Sequence, residues 1–163
     1  MTGGIGPIRR RKGNMEPKSV DEILDFAIGR EQEAHDFYDG LAKKVKQPGM
    51  KDTFLQFAAE ELGHKKKLEG VKAGKSLFPA KKVMDLKIGD YLVDVEPEGD
   101  LDYQHALILA MKREKAAFRL YTDLAALVED NQLKLTFLTL AQEEAKHKLR
   151  FEVEYDNNIL AQN

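Results

Sequence analysis

The sequence predicts an all-α protein, in which four amphipathic helices form a bundle from two helix-turn-helix units joined by a long middle crossover. Its composition favours helix over sheet, because Ala, Leu, Glu and Lys are abundant while only 12 of the 163 residues are Gly and 5 are Pro. Apolar residues recur at helical spacing in four stretches, and the second two stretches repeat the first two. We expect one folded domain over residues 19–163, preceded by a flexible Gly-, Pro- and Arg-rich segment over residues 1–18.

The first half of the chain predicts two helices. Ser19 and Glu22 form a capping-box pattern that begins the first helix, and Pro48-Gly49 is expected to end it. A second helix is predicted over residues 50–71. Their inner faces are predicted to carry Leu24, Ala27, Ile28, Ala34, Tyr38, Leu41, Val45, Phe54, Phe57, Ala58, Leu62 and Leu68.

The second half predicts a crossover and two further helices. Helical spacing is lost from residue 70 to about residue 100, where only a short turn of helix around residues 83–86 is expected. A connection this long lets the chain cross from one end of a bundle to the other. Asp102 is predicted to cap the third helix, and Asp130-Asn131 marks a turn before a fourth helix that continues to about residue 157. The inner faces are predicted to carry Leu107, Ala110, Met111, Ala117, Tyr121, Leu124, Val128, Leu133, Phe137, Leu140, Ala141, Ala145 and Phe151.

An internal repeat relates the two halves without a gap when the sequence is shifted by 83 residues. Heptad periodicity can align apolar residues by chance, but it does not align chemically distinctive residues at one shared offset. We therefore predict two copies of one unit, packed face to face about a pseudo-twofold axis. The matched pairs that carry chemistry are Glu31 with Glu114, Tyr38 with Tyr121, Glu61 with Glu144, and His64 with His147.

Six of these residues form a predicted metal site. Each unit has one Glu-x-x-His pair, whose members share a helix face, and one lone glutamate thirty residues upstream. The lone acids Glu31 and Glu114 interrupt apolar stripes, where a carboxylate is costly unless it is paired or bound to a metal. Two divalent cations would cancel the charge of four carboxylates, with two neutral imidazoles completing the set. Oxygen and nitrogen ligands without sulfur suit two ions of iron or manganese, and zinc less specifically.

Small and aromatic residues accompany these acids. Ala34 and Ala117, three residues after each lone glutamate, leave space through which dioxygen or peroxide could reach the metals. Tyr38 and Tyr121 either pack in the core or donate a hydrogen bond to a carboxylate ligand, and both roles can hold together.

Other charged residues near the motifs have simpler interpretations. A single Glu-x-x-His on a charged helix usually marks a solvated face, and the prediction of a site depends on finding two in register. Glu60 and Glu143 also match in the repeat, and we interpret them as surface or interhelical charges. His35 and His105 have no repeated counterpart, so a surface role is expected for both.

The composition also excludes several classes of protein. There is no cysteine, which removes disulfides, thiolate nucleophiles and iron–sulfur clusters. The net charge is −2, and the basic runs at residues 9–12 and 65–67 lack interleaved aromatic residues, so no nucleic-acid partner is expected. No apolar run is long enough for a membrane span or a signal peptide, so a cytoplasmic protein is expected.

These motifs resemble the ferritin-like di-iron carboxylate superfamily, and within it the rubrerythrin family. The resemblance rests on the stretch from Phe26 through Glu31 to Tyr38 and on Glu61-x-x-His64 after Phe57-Ala58, and it covers roughly residues 19–158. It implies a ferritin-like four-helix bundle with four glutamate ligands to two iron ions. Glu61 and Glu144 would be bridging ligands, and His64 and His147 terminal ones.

The resemblance also implies a function. Two ferrous ions would reduce hydrogen peroxide or dioxygen to water, with electrons from an external donor such as rubredoxin. A ferroxidase that serves iron storage or detoxification is the alternative, and a non-enzymatic metal-binding bundle is a second one. The long crossover permits exchange of helix pairs between chains, and a homodimer is expected.

Two departures from the rubrerythrin pattern stand out. That family typically has a further ligand glutamate three residues after the third-helix glutamate, where this sequence has Ala117. The site is therefore expected to be more symmetric, as in bacterioferritin-type centres. Rubrerythrins also commonly end in a rubredoxin-like domain with four cysteines, which is not expected in a chain without cysteine.

Overall fold

A computed structural model describes residues 20–74, 86–93 and 102–160. Over these ranges the chain forms four long helices and one 3₁₀ helix, without a strand. The long helices are α1 (Val20–Lys44), α2 (Met50–Ala73), α3 (Tyr103–Leu127) and α4 (Asn131–Asn158), and the 3₁₀ helix spans Ile88–Tyr91. The predicted segment 1–18, the Ser19 cap and most of the predicted turn at residues 83–86 lie outside the described ranges. No helix in the described part of the chain is long and apolar enough to cross a bilayer.

The helix ends follow from local chemistry. Asp102 and Asp130 each accept a hydrogen bond from the backbone N–H three residues later, at 2.8 Å, which confirms the predicted cap at Asp102. Between α1 and α2, Gly49 has a φ of 79°, a left-handed conformation that glycine adopts without strain. Helix α1 ends at Lys44, before the predicted stop at Pro48. Proline disfavours helical geometry at Gln47, the residue that precedes it, so the helix could not have continued through the predicted stop.

The helices pack as two antiparallel pairs, as the repeat predicts. Helix α1 packs along α2 and α3 along α4, whereas backbone contact between the two pairs is sparse. The pairs meet through two apolar clusters near opposite ends of the bundle. One contains Leu24, Tyr121, Leu124, Phe137 and Leu140, and the other contains Tyr38, Met50, Phe54, Leu107 and Phe151. The predicted site residues lie between these clusters.

The described part of the crossover lies against α3. Tyr91 is buried and its hydroxyl donates to the Asp123 carboxylate at 2.7 Å. Arg119 lies 3.9 Å from Asp90, which adds an exposed ion pair to the same contact. The 3₁₀ helix is thereby held beside the α1–α3 side of the bundle.

Candidate metal centre

The six residues predicted as ligands come together in the middle of the bundle. Helix α1 contributes Glu31, α2 contributes Glu61 and His64, α3 contributes Glu114, and α4 contributes Glu144 and His147. All six are buried, with at most 3% of any residue exposed. Because one chain supplies the whole set, exchange of helix pairs is not needed to complete it.

The donor atoms form two overlapping groups, each able to surround one ion. Glu31 and His64 belong to the first group, and Glu114 and His147 to the second, while Glu61 and Glu144 belong to both. Within each group the donor atoms lie within 4.8 Å of one another. Sharing of two glutamates is the arrangement expected of bridging carboxylates.

The imidazoles approach the carboxylates through Nδ1. His64 Nδ1 lies 2.8 Å from Glu144 Oε1 and 3.6 Å from Glu31 Oε2. His147 Nδ1 lies 2.9 Å from Glu61 Oε1 and 3.5 Å from a Glu114 oxygen. Each histidine therefore faces a carboxylate of the opposite helix pair, as a site on a pseudo-twofold axis requires.

Buried side-chain atoms without a hydrogen-bond partner test whether this site fits a pair of metal ions. Within the described part of the chain, one buried side-chain atom of each residue makes no hydrogen bond of acceptable geometry, although each histidine Nδ1 lies 2.8 or 2.9 Å from a carboxylate oxygen. These atoms are Glu31 Oε2, Glu61 Oε1, His64 Nδ1, Glu114 Oε2, Glu144 Oε1 and His147 Nδ1. Buried polar atoms without partners are costly, and native proteins rarely leave six of them together. Their oxygen and nitrogen chemistry suits iron or manganese, so the residues fit the two ions that the sequence predicts.

The electrostatics of the cluster show the repulsion between buried carboxylates that a bound cation would relieve. Burial, followed by repulsion from Glu114, raises the pKa of both Glu61 and Glu144 well above the usual range. Burial acts to lower the pKa of His147, but Glu114 and Glu61 outweigh it and raise that pKa to about 11. Without metal, the site therefore retains protons that bound cations would displace.

The two tyrosines link the repeat units. The Tyr38 hydroxyl donates to Glu114 Oε1, and the Tyr121 hydroxyl donates to Glu31 Oε1. Both side chains are also fully buried in the apolar clusters, so packing and hydrogen bonding hold together. Burial raises the pKa of both phenols well above the usual value, which keeps them protonated as donors.

Glu60 and Glu143 contact the histidines of the site directly. The sequence predicts them only as surface or interhelical charges. Nε2 of His64 donates to Glu143, and Nε2 of His147 donates to Glu60 at 2.5 Å. In the neutral rings that a metal requires, these bonds fix the tautomer that leaves Nδ1 free for the metal. The charges are interhelical, as predicted, but their contact with the imidazoles was missed. The repeat contained the signal, since both acids match at the same offset as the predicted ligands.

Of the two remaining histidines, His105 has the surface position predicted for both, whereas His35 is partly buried between α1 and α2. Nδ1 of His35 forms a hydrogen bond with the Ala58 carbonyl at 2.8 Å, which joins α1 to α2. His105 is exposed and forms a hydrogen bond with the capping residue Asp102 at 2.7 Å. Neither takes part in the two donor groups.

A small cavity of about 40 Å³ opens the carboxylate side of the site toward α1 and α3. The carboxylates of Glu31, Glu61, Glu114 and Glu144 line it. Its remaining wall is mostly apolar and includes Phe26, Ala34, Tyr91, Val93, Ala116, Ala117, Leu120 and Tyr121. The space predicted beside Ala34 and Ala117 is therefore present, with room for a few water-sized molecules.

Comparisons with known proteins identify the fold and the family. A structure from Thermotoga maritima, described as a ferritin-like diiron-carboxylate protein, is 22% identical, with a TM-score of 0.70, over 88% of this chain and 98% of that one. A hypothetical protein from Pyrococcus furiosus is 28% identical, with a TM-score of 0.64, over 83% and 87% of the two chains. A search of curated proteins found no match. The fold is thus ferritin-like, and the rubrerythrin family profile matches residues 22–155. The chain belongs to the rubrerythrin family.

Proposed function

We propose that this protein is a di-iron oxidoreductase of the rubrerythrin type, which reduces hydrogen peroxide or dioxygen with electrons from an external donor such as rubredoxin. The observation that carries the proposal is the convergence of six unsatisfied buried donor atoms beside a small cavity. When bound, two ferrous ions would supply the electrons and the Lewis acidity that the reaction needs.

The protein's own groups would set the geometry of the centre. Glu31 and His64 would hold one ion and Glu114 and His147 the other, and Glu61 and Glu144, which belong to both groups, would contribute to both. Tyr38 and Tyr121 orient the two lone glutamates through their hydrogen bonds. Because all of these groups lie on packed helices, little reorganisation is needed during reaction.

The reaction requires protons as well as electrons. Reduction of one hydrogen peroxide molecule to two water molecules consumes two electrons and two protons.

The buried centre is shielded by apolar clusters at both ends, so the narrow cavity is the expected path for small reactants. Its volume of about 40 Å³ suits small molecules such as hydrogen peroxide or dioxygen.

A ferroxidase is the second candidate, and Ala117 is the observation that favours it. A glutamate at this position would add a carboxylate to one half of the site, whereas alanine leaves the two halves matched, as Ala34 does in the other half. A symmetric centre suits oxidation of successive ferrous ions as well as reduction of peroxide.

Rapid mixing separates the two candidates. Protein is loaded with ferrous iron under anaerobic conditions and is then mixed with hydrogen peroxide in one experiment and with dissolved dioxygen in another. Oxidation of the iron is followed by absorbance. Faster oxidation by peroxide, with re-reduction by a donor protein, supports the proposed function. Repeated uptake of iron beyond two ions per chain supports the ferroxidase.

Glu144→Ala tests the metal assignment itself, because this residue belongs to both donor groups. The variant is expected to lose iron and the absorbance of the oxidised centre. Glu152→Ala is the matched control, since Glu152 is a partly exposed acid on the same helix, paired with Lys148. If the Glu144→Ala spectrum and melting temperature equal those of the control, the site is a structural feature without metal.

A further inference from the structure

The cluster of buried carboxylates is approached from two faces of the bundle that differ in charge. The cavity between α1 and α3 reaches the four carboxylates, and neither histidine lines it. The histidines lie on the opposite side, between α2 and α4, where Glu60 and Glu143 contact them. The pseudo-twofold axis gives each face a matched pair of charged residues.

The α1–α3 face carries positive charge. Arg30 and Arg113 both line the cavity, and they are equivalent positions of the repeat, each directly before a lone glutamate. Arg30 stacks over Phe26 at 4.9 Å, and Arg113 over Phe37 at 4.7 Å, which holds both guanidinium groups in place. Glu33, which is half exposed and also lines the cavity, lies 3.3 Å from Arg30, so these three residues leave one net positive charge at the cavity.

Arg30 also has an unused donor. Its Nε is buried and makes no hydrogen bond within the described residues. Arg30 and Arg113 are both partly buried and line the same cavity, so the two guanidinium groups lie in one region. Such a region attracts small anions and disfavours cations.

On the α2–α4 face, two carboxylates stand next to the histidines. Glu60 and Glu143 keep 42% and 38% of their side chains exposed while they contact the buried imidazoles. A cation arriving from solvent would meet these carboxylates first and the histidine ligands next. The buried glutamates attract cations from either side, so the charged residues on the two faces are expected to bias the route.

We propose that metal ions and the oxidant reach the centre from opposite faces. Cations enter on the α2–α4 face past Glu60 and Glu143, and the α1–α3 cavity, with Arg30 and Arg113, admits small neutral or anionic molecules and rejects cations. The part that concerns the oxidant rests on the proposed function. The part that concerns metal entry does not.

Charge reversal tests the cation barrier in the full-length chain freed of metal. Uptake of Co²⁺ is followed by visible absorbance in stopped flow for Arg30→Glu/Arg113→Glu. The matched control is Lys112→Glu/Lys115→Glu, which makes the same charge change at exposed positions of α3 outside the cavity lining. The arginine variant is expected to take up Co²⁺ at least about tenfold faster than the control, because a second route opens. Equal rates in the two variants overturn the proposal.

Azide tests the small-molecule route without any redox step. Its rate of binding to cobalt-loaded protein is expected to fall about tenfold in Arg30→Glu/Arg113→Glu relative to the lysine control. Ala117→Leu, which fills the cavity, is expected to slow azide binding by a similar factor while two Co²⁺ ions per chain are retained. Ala34→Val serves if the leucine variant does not fold, as judged by circular dichroism. Unchanged azide binding in a cavity-filled variant that holds both ions refutes this route.

These measurements separate the proposal from the proposed function. If wild-type protein reacts with neither peroxide nor dioxygen, the proposed function fails, while the Co²⁺ and azide results still decide whether the two faces are selective.

Discussion

Replacement of Glu143 by alanine is the sharpest test of how the histidines are held. In the folded protein, the Glu143 carboxylate accepts a hydrogen bond from Nε2 of His64, and Nδ1 of the same ring points at the donor group of Glu31, Glu61 and Glu144. Without this bond, the imidazole can rotate or take the other tautomer, so binding of one ion should weaken.

The expected size follows from the geometry. Loss of a carboxylate that orients a ligating histidine typically lowers metal affinity by about 10- to 100-fold, or about 1.4 to 2.7 kcal/mol. Glu143 is 38% exposed, so water can replace part of its contact, which favours the lower half of that range. Only the ion held by His64 should be affected, because His147 is oriented by Glu60.

Competitive titration of Fe²⁺ or Mn²⁺ against a chromophoric chelator measures this effect ion by ion. Glu143→Ala should give one weakened step and one unchanged step, and Glu60→Ala should weaken the other step. Glu152→Ala, which removes a comparably exposed acid from the same helix, should leave both steps unchanged. Two steps in Glu143→Ala that are as tight as in this control would show that the contact does not position His64.

Three further predictions concern pH, a buried tyrosine and a helix cap. The pKa of His147 is raised to about 11 in the metal-free fold. Protonated His147 therefore stabilises that fold most below the unfolded pKa of about 6.5, and less as pH rises toward 11. A metal ion, in contrast, binds only the neutral form of the ring. Stabilisation of the fold by metal should therefore grow between about pH 6 and pH 8, by ~1.4 kcal/mol per pH unit for each proton displaced. The measurement is the difference in melting temperature between metal-loaded and metal-free protein, and a difference that does not change with pH contradicts the prediction. Tyr121→Phe leaves Glu31 without its phenol donor, so denaturant unfolding of the metal-free protein should show a loss of about 1 to 3 kcal/mol, and an unchanged midpoint argues against the bond. Asp130→Ala removes the 2.8 Å cap on the Leu133 N–H and should cost about 1 kcal/mol in the same assay, with Asp130→Asn as the variant that retains it.

The helices and the six residues that converge could be predicted because their signals are local or periodic. Helical spacing places Glu31 inside an apolar stripe, where a carboxylate needs a reason to be buried. The shared offset of 83 residues then pairs it with Glu114 and links both to the Glu-x-x-His motifs. The structure brings all six residues together as that repeat requires, and their binding of metal stays a prediction for the titrations above.

Other features depended on how the two helix pairs approach each other. Tyr38 could be recognised as a core residue or as a donor, and only packing across the pseudo-twofold axis brings its hydroxyl to Glu114. Glu143 lies about 100° around the helix from Glu144, so helical geometry predicts that Glu143 lies on the flank of the bundle. The distance between α2 and α4 decides that this flank touches His64.

The sequence by itself determined the helices, the twofold repeat and the set of buried acids and histidines, because spacing along a helix fixes which side chains share a face. Only the tertiary structure decided the partners of those side chains and the charge of each face. Arg30 and Arg113 meet at one cavity, and Glu60 and Glu143 at the opposite face, because residues far apart in sequence are brought close by packing between helix pairs.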